Sequence, residues 1–127
     1  MALQYDPSCT LNTAGNIYAS NSLGAGGSIS NTVDFSSSTL GGYVQIWNGA
    51  GTVAATAGLQ VQVFATADTT PNFDTIPFAG NYFVIPSVAS FTNRQTVFLP
   101  TGKFSVKLTN LDATNAVTVE ITSAPLA

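Results

Sequence analysis

The sequence predicts an all-β protein: an antiparallel β-sandwich of about seven to eight strands, jelly-roll or immunoglobulin-like, with an extended N-terminal arm. Three observations predict it. Apolar and polar residues alternate with period two through most of the chain after Thr32. Gly, Pro and Asn interrupt that alternation at short intervals, as turn residues do. No segment carries the 3.6-residue periodicity of an amphipathic helix.

Residues 1–31 are rich in Ser, Asn, Gly, Ala and Thr, and the run Gly24-Ala25-Gly26-Gly27 contributes almost no side chain. Glycine costs backbone entropy and packs nothing, so this part is expected to be an arm ordered by contact with something else. Leu11, Ile17 and Tyr18 are its candidate anchors. The glycine run lacks the preceding strand, the later glycine and the basic residue of a phosphate loop. Residues 32–127 are expected to form the sandwich domain.

Val33 and Phe35 open a short strand closed by Ser36-Ser37-Ser38, and Leu40-Gly41-Gly42 reads as a turn. Tyr43–Asn48 follows as a strand, then Leu59–Ala65 with strict alternation. After a loop holding Asp68, Pro71 and Asp74 come the brief apolar run Tyr82–Ile85, stopped by Pro86, and Thr96–Leu99, stopped by Pro100-Thr101-Gly102. Phe104–Leu108 and Val117–Ile121 alternate most clearly, and Asn110–Asn115 between them has the composition of a hairpin loop. Trp47, Phe64 and Phe98 fall out of phase with the apolar faces of their strands, defined by Ile46, Val63 and Leu99. Such aromatics point away from the core, and with the arm residues they form the candidate interface set.

Composition removes most chemistry. Lys and Arg number 3, Asp and Glu 6 and His 0, for a net charge of −3. Nucleic-acid binding needs clustered cations, and Arg94, Lys103 and Lys107 are too few. Without histidine there is no Ser-His-Asp or Cys-His pair and no His-ligated zinc. Paired carboxylates of the glycosidase kind would have to come from scattered loop Asp residues and Glu120. A calcium site in the Asp68–Asp74 loop is weighed and set aside, since Asp favours turns for its own hydrogen-bonding reasons. No catalytic, cofactor or metal residue is therefore assigned. Cys9 is alone and forms no intrachain disulfide. The chain starts without a basic, apolar leader and has no apolar run of bilayer length, so a soluble protein made in a reducing cytoplasm and no membrane partner are expected.

Three stretches, Gly42–Gly49, Val61–Asp68 and Ala116–Ile121, with the turn Leu99–Phe104, resemble small all-β virion proteins of tailed bacteriophages that decorate or cement a capsid. The resemblance implies a structural protein on the capsid surface, made in the host cytoplasm. It also implies the major capsid protein as partner, a homo-oligomer with a trimer favoured, and no catalysis. The alternative expectation is a carbohydrate-binding or tail-fibre module, with Trp47, Tyr43 and Tyr82 stacking on sugars and Asn48 or Gln45 hydrogen-bonding.

Overall fold

A computed structural model describes residues 15–53, 57–67, 72–80 and 82–126, without the side chains of Asn16 and Ala79. Among them are eight strands: β1 (Gly15–Leu23), β2 (Ser28–Asp34), β3 (Gly42–Gly49), β4 (Leu59–Thr66), β5 (Tyr82–Ile85), β6 (Thr92–Leu99), β7 (Lys103–Asn110) and β8 (Val117–Pro125). They form two four-stranded antiparallel sheets, β1-β8-β3-β6 and β2-β7-β4-β5. That order is a jelly roll. Of the two arrangements expected, the immunoglobulin-like one is replaced by this one.

The chain changes sheet at every connection except β4 to β5. Here the structure corrects the expected β7–β8 hairpin: β7 pairs with β2 and β4, while β8 pairs with β1 and β3. Alternation shows that each strand has one face on a core, but not which layer supplies it. The segment between them is a crossover, held by side chains rather than by a tight turn. Asn110 Nδ2, fully buried, donates to Leu23 O and Gly24 O at 3.2 Å and to Asn115 O at 2.9 Å. Asp112 Oδ1 accepts the backbone N–H groups of Thr114 at 2.7 Å and Asn115 at 2.6 Å.

The expected boundary at residue 31 falls inside β2, and the arm shrinks accordingly. Residues 15–31 belong to the sandwich; Leu11 and the rest of 1–14 lie outside the described residues. β1 and β2 are edge strands, which need only one pairing partner and a few inward side chains. Leu23 and Val33 are buried, while Ile17, Tyr18 and Ile29 pack against the core from half-buried positions. The glycine run serves as a tight β1–β2 connection: Gly26 takes φ +69°, Gly27 N donates to Gly24 O, and Gly26 N donates to Asp112 O, both at 3.0 Å.

The core lies between the sheets. From one layer come Val44, Ile46, Val97, Leu99, Val117, Val119 and Ile121; from the other Val33, Leu59, Val61, Val63, Ile85, Phe104, Val106 and Leu108. These β-branched and aliphatic residues occupy alternate positions, as the pleat requires. At one end of the sandwich, Leu126 N donates to Gly41 O and Phe35 N to Gly102 O, both at 2.7 Å, and the Ser38 hydroxyl donates to Leu126 O. The last strand is thereby tied to the β2–β3 and β6–β7 connections.

Candidate functional site

The outer face of the β1-β8-β3-β6 sheet carries the most distinctive surface. Strand β3 turns Val44 and Ile46 inward and Tyr43, Gln45 and Trp47 outward. Register sets Phe98, Thr96 and Arg94 of β6 beside them on one side, and Ala124, Thr122 and Glu120 of β8 on the other. The Tyr43 and Phe98 rings lie 4.3 Å apart, tilted by 56°, and Phe98 remains 66% exposed. The Arg94 guanidinium sits 4.0 Å over the Trp47 ring, a cation–π contact that covers one indole face. Trp47 Nε1 donates to Gln45 Oε1 at 2.9 Å. A shallow depression of about 170 Å³ adjoins them, lined by Ser20, Trp47, Gly49, Thr92, Thr118 and Glu120.

The opposite outer face is built from β2, β7, β4 and β5. Phe64 points outward from β4 beside Ser105 of β7 and is half-buried. Further along the same face lie exposed Tyr82 and Val84 of β5, opposite Gln62 and Gln60, and Gln60 Nε2 donates to Tyr82 Oη at 2.6 Å. Lys103 and Lys107 share this face. Lys103 Nζ stands 4.0 Å from Asp34 Oδ2. The hydroxyl and backbone N–H of Ser36 both donate to Asp34 Oδ1 and hold its carboxyl below the usual range, with a smaller push from Lys103.

Trp47, Phe64 and Phe98 thus all point away from the core, in two places on opposite sides of the sandwich. Ile17 and Tyr18 are taken up by the domain's own packing. The residues weighed for a sugar site are not gathered: Tyr43 and Trp47 share one sheet, Tyr82 belongs to the other, and Asn48 is fully buried. Asn48 Nδ2 donates to Ile85 O at 3.1 Å, Pro86 O at 3.3 Å and Ser87 Oγ at 2.9 Å, so this side chain fastens the β5–β6 connection to β3. Its Oδ1 is buried and accepts no hydrogen bond. Asn48, expected as a sugar contact under the alternative, is thus structural, and its phase with inward Val44 and Ile46 is the signal in the sequence that would have shown it.

Among the described residues no group of three or more His, Cys, Asp or Glu is placed to hold a metal ion. Asp68 lies outside the described residues, and Asp74 donates its backbone N–H to Ala65 O at 2.8 Å in a loop that returns onto β4.

No family model matches the chain, and no curated protein matches it. Similar folds occur among solved structures. A family 35 carbohydrate-binding module from Clostridium thermocellum superposes with a TM-score of 0.53 at 13% identity, covering 91% of this chain and 99% of that one. A carbohydrate-binding module of family 36, in complex with calcium and xylotriose, gives 0.44 at 17% identity over 93% and 94% of the two chains. An exo-β-1,3-galactanase from Phanerochaete chrysosporium gives 0.46 at 12% identity, with 88% of this chain matching 29% of the enzyme. At these identities the likeness is one of fold, and the first superposition carries it: the chain is an eight-stranded β-sandwich. That architecture serves viral capsid and lectin domains alike, so function has to be argued from the faces.

Proposed function

We propose that this chain is a structural protein of a tailed-bacteriophage virion, a decoration protein that binds and stabilises the major capsid lattice without catalysis. The observation that carries this reading is the outward Tyr43–Phe98 pair, whose register neighbours Gln45, Thr96 and Ala124 carry no charge. Fully covering a large aromatic side chain is worth about 1.5–3 kcal/mol, and Phe98 at 66% exposure has most of that still to gain. Around it stand Gln45, Thr96 and Thr122, which hydrogen-bond to a partner without needing a countercharge. Contacts of this kind are insensitive to salt. They also suit many equivalent sites on one lattice. The jelly roll needs no cofactor to hold these faces in place.

Quantitative mass spectrometry of purified particles tests the proposal. The expected result is a copy number on the scale of the capsid lattice, with the protein retained through salt washes. A few copies per particle would make it a tail part, and absence from the particle would overturn the reading altogether.

A second reading, a carbohydrate-binding module, draws on the depression beside Trp47, where an indole, a carboxylate and several hydroxyls converge. Against it stands Arg94, which occupies an indole face that a sugar would stack on. Specific binding on a glycan array that disappears in Trp47→Ala, with the fold intact, would decide for it.

A further inference from the structure

The free edges of the two sheets are unequal. β1 breaks register twice along β8, β5 has only four residues, and β2 lies against β1 where the layers meet. These are the usual ways of blunting an edge. β6 has neither register breaks nor short length, although β5 of the other layer touches it as β1 touches β2. Its eight residues run in unbroken register with β3, without proline or lysine, and end at Pro100. Half of its backbone N–H and C=O groups point away from β3. Among the described residues, no backbone hydrogen bond outside the β3 pairing reaches 92–99.

We propose that β6 pairs antiparallel with β6 of a second copy of this chain, about a two-fold axis at Thr96, so that the two β1-β8-β3-β6 sheets become one. The chemistry of the strand selects this occupant. An axis normal to the sheet keeps both outer faces on one side, so Thr92, Arg94, Thr96 and Phe98 oppose only one another. An axis at Arg94 would set the two guanidinium groups together. An axis at Thr96 instead sets Arg94 opposite the partner subunit's Phe98, and Thr96 opposite the partner subunit's Thr96, both favourable cross-strand pairs. The Trp47–Arg94 and Tyr43–Phe98 contacts then join into a single run across the junction, with the outward face of Phe98 left open. The contact is two-fold, in place of the trimer that the virion resemblance implies.

Sedimentation velocity of the full chain over a concentration series tests this. The wild-type chain is expected to sediment as a dimer. Phe98→Lys places an ammonium opposite each partner Arg94, twice per dimer, and raises the dissociation constant at least about tenfold. Adding Arg94→Glu to the same chain restores dimerisation, because the introduced lysine then faces a carboxylate. Both substitutions are on the outer face, and thermal melts check that each variant is folded. A wild-type monomer at every concentration, a trimer, or equal association of the single and double variants would overturn the proposal. A monomer would also be the result if β6 is reserved for a strand of another protein. Copy number in the particle is a separate measurement, so either idea can fail without the other.

Discussion

Two buried asparagines do at the residue scale what charged pairs do in other domains. Asn48 and Asn110 each sit fully buried at the inner end of a strand and tie a connection to it. Replacing either by Ala strands the carbonyl groups it serves, at about 1–3 kcal/mol of stability. Asn110 also accepts the Asp112 N–H at 3.1 Å, whereas the Asn48 Oδ1 accepts nothing. Asn110→Ala is therefore expected to cost more than Asn48→Ala in urea denaturation; the reverse order would show that the amide contacts are not what these positions contribute. Asp34 gives a pH signature. Its carboxyl is held below the ordinary carboxylate range chiefly by the Ser36 hydroxyl. A depressed folded-state pKa means the stabilisation is complete above the unfolded value and disappears as pH falls through the folded one. Ser36→Ala should move the Asp34 titration, followed by NMR, up toward the ordinary carboxylate range and weaken that acid-side dependence, while the Ser36 N–H and Lys103 keep part of it.

Connections between elements divide what the sequence reveals from what it conceals. Strands β3, β4, β7 and β8 were legible because each buries alternate aliphatic residues against one core. β1 and the first part of β2, before the expected strand at Val33, were not, because Ser, Asn and Gly dominate them, and an edge strand needs few large side chains. β6 is longer than its apolar end suggested, since Asn93, Arg94 and Gln95 pair with β3 through the backbone without adding to the apolar core. The outward aromatics of the candidate site could be read from phase. Their separation onto two sheets could not, because it depends on which strand enters which layer. The same logic locates the most sensitive turn. Gly41 takes φ +77°, and a Cβ there would lie 2.0 Å from Leu99 O, inside the backbone of the neighbouring strand. Gly41→Ala is expected to exceed the roughly 4 kcal/mol that marks exceptional single substitutions, seen as a chain that fails to give a cooperative melt. Leu108→Ala, a plain core truncation, should cost about 2–5 kcal/mol and leave the melt cooperative.

For the whole molecule, stability comes from apolar burial and backbone pairing, with charge almost absent from the account. The Lys103–Asp34 pair, at 4.0 Å and exposed to solvent, is the kind that contributes about 0–1 kcal/mol. Denaturation midpoints measured in low and high sodium chloride should therefore nearly coincide; a large shift would point to long-range electrostatics that nine charges spread over 127 residues are not expected to supply. The position of β8 has one more consequence, for synthesis. Of the eight described strands it is the last to be synthesised, yet it lies between β1 and β3, two of the first. Until it emerges, the sheet that carries Trp47 and Phe98 cannot close, and β1 has no strand to pair with. Folding of this sheet thereby waits for β8 to be made, is slow for a topology so dominated by distant pairings, and leaves the earlier strands in need of protection meanwhile.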